Sequence, residues 1–90
     1  MRKNEIYITS TVLVRELKYS RNVANGFMTS FLFYAPLLKR PAFIVGSAVD
    51  LLSCLAIARY RHKNCSVRGC KVAYSNLIKK LEKFQELNHA

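Results

Sequence analysis

Charge is distributed unevenly along this chain, and the unevenness limits how the chain can fold. The 37 residues from Asn22 to Ala58 hold three charged side chains, Lys39, Arg40 and Asp50, while the other 53 residues hold seventeen, thirteen of them Lys or Arg. An apolar segment of this length tends to leave water because burial of its surface is favourable. The middle of the chain is therefore expected in a membrane, in a buried helical hairpin or against a polyanion surface.

Length and net charge narrow the classes of function further. Ninety residues are enough for one domain, residues 1–90, with a small core. The formal net charge of +10 favours phosphate-rich partners such as nucleic acid, ribosomes or anionic lipid headgroups. No apolar signal segment follows Met1 to Glu5, so we expect that the protein is not secreted and that its three cysteines are reduced thiols.

The N-terminal segment supports two competing predictions. Residues 5–14 alternate and are rich in β-branched side chains, which is typical of a strand, but no other segment alternates as well and could pair with it. The competing prediction is a helix over residues 10–25 that Asn25 and Gly26 would end.

A proline limits the apolar helix that is predicted next. Residues 27–38 are apolar on every side, and Pro36 lies near the end of this run. Proline removes a backbone hydrogen bond and costs about 3 kcal/mol inside a helix, so the helix should kink or end near Tyr34 or Ala35.

The second apolar run, residues 42–58, has two interpretations that place Asp50 differently. In a membrane the run would be a minimal spanning helix, with Gly46, Asp50 and Ser53 as a small and polar packing stripe. In water Ser47 would be the N-cap of a helix and Asp50 would occupy its N3 position, as in a capping box. In lipid Asp50 would need a partner for its charge, whereas in water it would interact favourably with the positive end of the helix dipole.

The last part of the chain has the clearest helical pattern. Apolar residues recur three and four positions apart from Val67 to Phe84. Residues 64–90 are therefore predicted to form an amphipathic basic helix, beside an apolar helical hairpin of residues 22–58. The predicted fold class is all-α, a bundle of three to four helices, with a short N-terminal strand as the open alternative.

Residues that could carry chemistry are few. The sequence has no recognisable nucleophile with its base, no paired carboxylates and no glycine-rich phosphate loop, so no enzymatic activity, catalytic residue or cofactor is predicted. His62, Cys65 and Cys70 lie close together, but they lack the tight pairs of structural zinc sites, and no metal site is predicted. No helix-turn-helix, zinc-finger or RNP-type signature is recognised.

Basic side chains are the main candidates for binding. They would contact phosphates, and Tyr60 and Tyr74 would stack on bases. Gly46, Ser47 and Asp50 are candidates for packing or helix capping. The candidates for polyanion binding are Arg59, Arg61, Lys63, Arg68, Lys71, Lys79, Lys80 and Lys83.

One short segment resembles a known pattern. Leu38 to Gly46 is similar to the basic-Arg-Pro-apolar-Gly entry to the membrane helices of small inner-membrane subunits of type IV secretion systems. The chain departs from these subunits in its long polar N-terminal extension and in lacking a second clear span after the motif, so no family is assigned.

The function predicted first is that of a non-enzymatic, membrane-associated accessory subunit. Its apolar hairpin would pack in or against lipid or a larger protein complex, with the basic end on the cytoplasmic or matrix side. The first alternative is a soluble, cytoplasmic helical module that binds nucleic acid or a ribosome-type assembly. The second is a soluble helical inhibitor or immunity-type protein that binds one protein partner. No small-molecule substrate is indicated.

Overall fold

Four α-helices and a small three-stranded sheet form the part of the chain that the structure describes, residues 6–39 and 44–88. In this computed structural model helices account for 73% of the fold, so the predicted small helical fold of three to four helices is confirmed, and the short N-terminal strand that was the open alternative is present. The elements in chain order are β1 (Tyr7–Ile8), α1 (Ser10–Arg15), α2 (Arg21–Tyr34), a 3₁₀ turn (Ala35–Leu37), β2 (Ile44–Val45), β3 (Ala48–Asp50), α3 (Leu51–Asn64) and α4 (Arg68–Asn88).

The sheet joins the N-terminal strand to a hairpin from the middle of the chain. β3 is the central strand and pairs antiparallel with β1 on one side and with β2 on the other. Ile8 lies opposite Val49, and the N–H of Leu51 donates to the C=O of Ile6 at 2.7 Å. β3 is therefore the missing partner of the N-terminal strand. At three residues it is too short to show alternation in the sequence.

The helix predicted over residues 10–25 is divided in two. Thr9 caps α1, because its Oγ1 accepts a hydrogen bond from the N–H of Val12 at 3.2 Å. α1 ends after six residues, and Ser20 then caps α2 by accepting from the N–H of Val23 at 3.3 Å. Each helix therefore has its own side-chain N-cap, which satisfies one of the amide groups left free at a helix start.

The two predicted helix ends had different outcomes. Asn25 and Gly26 do not stop a helix but lie inside α2, so this prediction was wrong. A single glycine costs a helix only about 1 kcal/mol, which tertiary packing of α2 can outweigh. Pro36 acts as predicted: α2 stops at Tyr34, and the proline lies in the first positions of the 3₁₀ turn.

The capping-box prediction was wrong in its register. The helix cannot begin at Ser47, because the residues up to Asp50 pair with β1 as strand β3. Asp50 is itself the N-cap of α3, and its buried carboxylate accepts from the N–H of Ser53 at 3.1 Å. Ser47 lies instead in the turn between β2 and β3 with Gly46, whose φ of 61° is a conformation that glycine adopts readily.

The same hairpin interrupts the predicted membrane span over residues 42–58. Its described residues contribute β2, β3 and the first half of α3 rather than one continuous helix. Within residues 6–39 and 44–88, no helix combines the length and the apolar character needed to cross a bilayer.

The core gathers side chains from every helix and from the sheet. α4 buries the middle of its predicted stripe through Tyr74, Leu77 and Leu81, whereas the flanking Val67 and Leu87 are 65% and 74% exposed. The largest fully buried apolar side chains are Ile8, Leu13, Phe31, Val49, Ile57, Leu77 and Leu81.

Lys18, between α1 and α2, is held in a left-handed conformation with φ 65°. This conformation costs a residue with a side chain about 1 kcal/mol relative to glycine. We therefore expect Lys18→Gly to raise the free energy of unfolding by roughly 0.5 kcal/mol, since part of the gain is offset by the greater freedom of the unfolded chain. Lys18→Val should lower it, because β-branched residues avoid positive φ. Urea denaturation of both variants measures the difference, and a stabilising valine would contradict the prediction.

Candidate nucleic-acid interface

Residues 10–34 form a short helix, a tight turn and a longer second helix. The turn is closed by the N–H of Tyr19, which donates to the C=O of Leu13 at 3.0 Å, with Lys18 in its left-handed conformation. We refer to these elements as the helix-turn-helix segment, in which five residues, Glu16 to Ser20, connect the two helices. Its buried apolar residues, which join the common core, are Leu13, Leu17, Ala24, Phe27, Met28 and Phe31.

This division into two helices was not predicted from the sequence. Turns of this kind often contain glycine, and here the left-handed position is occupied by Lys18. The signal that could have revealed it is the pair of capping residues, Thr9 and Ser20, each followed by apolar residues spaced three or four apart. The prediction of a single helix over residues 10–25 did not take Ser20 into account as the N-cap of a second helix.

The exposed face of α2 changes character along its length. Its C-terminal half presents apolar side chains, with Phe33 66% exposed. Its N-terminal half is mainly polar, and a Cβ at Gly26 on this half would meet nothing within 4 Å apart from the adjoining backbone of its own helix. Gly26 therefore leaves room for a close approach by a ligand. The exposed polar residues of this half are Arg21, Asn22 and Asn25, and Thr29 follows early in the second half.

One hydrogen bond ties this polar face to α1, and a second lies within α2. The hydroxyl of Ser10 donates to Oδ1 of Asn25 at 3.0 Å, which orients the Asn25 amide from outside its own helix. The hydroxyl of Thr29 donates to the backbone C=O of Asn25 at 2.9 Å. The polar face is thus partly preorganised, which limits the conformational entropy lost when it binds.

The turn beside this face is basic. Arg15, Lys18 and Arg21 are all exposed there, and Glu16 is the acidic residue in the turn. The sequence contains no further Asp or Glu until Asp50. The start of α2 also carries the positive end of the helix dipole, so the turn and the first turn of α2 form a positive surface.

The predicted polyanion-binding residues divide into two groups. Arg59, although exposed, forms an ion pair with Glu82 at 2.9 Å, and Arg61 and Lys80 lie against tyrosine rings. The others are exposed: Lys63, Arg68, Lys71, Lys79 and Lys83.

Arg61 is a packing residue. Its Nη1 donates to the hydroxyl of Tyr34 at 3.1 Å, and its guanidinium carbon lies 5.3 Å from the ring centroid of Tyr34 and 5.6 Å from that of Tyr74. Tyr74 is only 6% exposed, packs edge-on against Phe27, and donates to the hydroxyl of Ser30 at 3.3 Å. Tyr74 is therefore not placed to stack on a base, whereas Tyr60 is 52% exposed.

Lys80 braces the helix-turn-helix from α4. Its Nζ donates to the C=O of Leu17 at 3.0 Å and lies 4.1 Å from the ring centroid of Tyr19. Both partners belong to the turn between α1 and α2. α4 thereby holds the turn in place with one hydrogen bond and one cation–π contact.

Removing the charge of Lys80 should loosen this brace. We expect Lys80→Met, which keeps the aliphatic stem, to lower the free energy of unfolding by about 1 to 2 kcal/mol. The neighbouring Lys79 is exposed, so Lys79→Met is a matched control that should change stability by less than about 0.5 kcal/mol. Thermal unfolding of the two variants compares them directly, and equal losses would show that the brace contributes nothing.

Metal ligands are not gathered in this part of the molecule. Among residues 6–39 and 44–88, no three or more His, Cys, Asp or Glu side chains are grouped so that they could hold a metal ion.

Comparison with known proteins adds no family to this description. The chain matches no protein-family model, no curated protein and no solved structure.

Proposed function

We propose that the protein binds double-stranded DNA, with α2 in the major groove and with α1 and the turn against the phosphate backbone. This proposal takes up the nucleic-acid-binding alternative, but it assigns DNA binding to α1, the turn and α2 instead of to the basic residues of α3 and α4. The observation that carries it is the mainly polar exposed surface of the first half of α2, in a helix whose buried residues are all apolar.

Shape supports the proposal. An α-helix with its side chains is about 10 to 12 Å across. The major groove of B-form DNA is about 12 Å wide and admits such a helix. In a helix-turn-helix the second helix enters the groove and its N-terminal residues contact base edges. In α2 the exposed side chains of that part are Arg21, Asn22, Val23 and Asn25, of which all but Val23 are polar.

The side chains on this face have the chemistry that base edges require. Asn22 can pair with N6 and N7 of adenine, and Arg21 can donate to O6 and N7 of guanine or to a phosphate. Val23, which is 45% exposed, can contact a thymine methyl group. Gly26 allows the helix backbone to approach the groove closely.

Electrostatics supports the same orientation. Arg15 and Lys18 lie where the turn would meet the backbone, and each phosphate neutralised by a basic side chain releases counterions. The net charge of +10 adds a long-range attraction to polyanions. The membrane-associated accessory role and the role of binding one protein partner both stay predictions.

The test compares duplexes of different shape. Purified protein is titrated into fluorescent B-form DNA and into double-stranded RNA of the same sequence, at several salt concentrations. We expect a plot of the logarithm of the DNA association constant against the logarithm of the salt concentration to be a straight line. Its slope should be negative, with a magnitude of about 0.9 for each phosphate contacted. RNA should bind more weakly, because its A-form major groove is too narrow for a helix.

Selection from a pool of random duplexes tests the role of α2 more closely. A recurring sequence should be enriched, and Asn22→Ala should reduce discrimination at one position by about 1 to 3 kcal/mol while leaving the salt dependence unchanged. Equal affinity for DNA and RNA, or DNA binding that ignores salt, would refute the proposal.

A further inference from the structure

A cavity lies between α1 with its following turn and the C-terminal half of α4. Its volume is about 550 Å³. Sites for small molecules usually have about 300 to 1,000 Å³, so this cavity has the size of a ligand site. A second cavity, which Tyr34 and Ile57 help to line near the end of α2, has about 160 Å³ and is smaller than such sites.

Four apolar side chains line the larger cavity. Leu17 is 6% exposed, and Val12 and Phe84 are half-buried residues that pack against the central core. Leu87 lines the same cavity but is 74% exposed. An apolar group of a ligand would remove more of these four side chains from water, which is favourable. The lining therefore favours a ligand that carries an apolar chain.

The charged side chains that line this cavity are mostly positive. Lys18, Lys80 and Lys83 line it together with one described carboxylate, that of Glu16. Lys18 and Lys83 are exposed, so their ammonium groups can reorient toward a bound anion. Lys80 Nζ already donates to the C=O of Leu17, but an ammonium group has three N–H donors and can donate again. The excess of positive charge therefore favours an anionic headgroup.

We propose that this cavity binds an amphipathic organic anion, namely a carboxylate that carries an aliphatic chain. The chain packs against Val12, Leu17 and Phe84, and the carboxylate lies among the lysines. A purely polar anion would leave the apolar side chains in contact with water, and a cation of the same length would be repelled by the lysines. Binding at this site does not depend on the proposed DNA binding, because α2 contributes none of the described lining residues.

Titration of the full chain with decanoate, kept below the concentration at which decanoate forms micelles, tests the proposal. In NMR spectra of the ¹⁵N-labelled protein we expect saturable shifts centred on the amides of Val12, Leu17 and Phe84, and calorimetry should give one bound molecule per chain. Decyltrimethylammonium has the same chain and a positive headgroup, and it should bind at least about tenfold more weakly. Shifts that do not saturate, that centre on the exposed Phe33 and Leu37, or that are equal for the two compounds would overturn the proposal.

Two matched pairs of variants test the lining residues. Lys83→Met removes a charge at the cavity and should lower the decanoate affinity about three- to fivefold, whereas Lys79→Met removes a charge elsewhere on α4 and should change it less than about twofold. Leu87→Glu introduces a carboxylate at the cavity and should lower the affinity about tenfold. Val72→Glu makes the same change at a residue of α4 that is 52% exposed and does not line the cavity. All four positions are exposed, so the variants should fold, and equal affinities within either pair would overturn the proposal.

Discussion

Phe31→Ala should lower the free energy of unfolding by about 3 to 5 kcal/mol. Phe31 has no exposed surface, stacks with Phe27 at a centroid distance of 6.4 Å and belongs to the central apolar cluster. Its truncation removes apolar burial and leaves a cavity that the neighbouring helices cannot fully close. A protein of this size is stable by only about 5 to 13 kcal/mol, so a large share of its stability would be lost.

A second phenylalanine in the same helix is the control. Phe33 is 66% exposed, and Phe33→Ala should change the free energy of unfolding by less than about 1 kcal/mol. Chemical denaturation followed by circular dichroism measures both variants. Similar losses for the two would mean that α2 does not bury the face that the structure describes.

Replacing the three basic residues around the helix-turn-helix should weaken DNA binding strongly. The combined variant carries Arg15→Ala, Lys18→Ala and Arg21→Ala. The slope of log affinity against log salt concentration should decrease in magnitude by roughly 0.9 for each lost phosphate contact. For three contacts this corresponds to roughly 100-fold lower affinity at 0.2 M salt. Fluorescence anisotropy over a salt series measures both quantities, with circular dichroism as a check that the variant is folded.

The basic residues at the junction of α3 and α4 provide a control of equal charge. The control variant Lys63→Ala, Arg68→Ala and Lys71→Ala also removes three positive charges. This junction lies near Tyr34, at the far end of α2, because Arg61 in the last turn of α3 donates a hydrogen bond to Tyr34. We expect the slope of log affinity against log salt concentration in this variant to differ from the wild type by no more than the loss of about one phosphate contact. If both variants lose affinity equally, binding reflects overall charge and α2 has no special role.

The sequence was most informative where structure depends on neighbours along the chain. The repeat of apolar residues three and four apart predicted α4, and Tyr74, Leu77 and Leu81 are the residues that this helix buries. Proline chemistry predicted the end of α2 at Tyr34. Both features follow from backbone geometry and from contacts within one or two helical turns.

The candidate site was less accessible from the sequence. Arg61 and Lys80 read as basic surface residues, but the fold places them against tyrosine rings that are distant in the sequence. Long cationic side chains can pack on aromatic rings or extend into water, and the residue types alone do not distinguish these uses. The residues now proposed to contact DNA lie partly in the segment that sequence analysis treated as apolar.

What the sequence determined by itself is the helical character of most of the chain, its excess of positive charge and the end of α2 at Tyr34. These depend on local periodicity, on composition and on the ring of Pro36. Only the tertiary structure decided that residues 48–50 form a strand and that α2 buries one face and exposes a polar one. Ile8 and Val49 pair although about 40 residues separate them, and no local pattern encodes such a contact. The division of α2 into buried and exposed faces depends likewise on α3 and α4, which follow it in the chain and pack against one side of it.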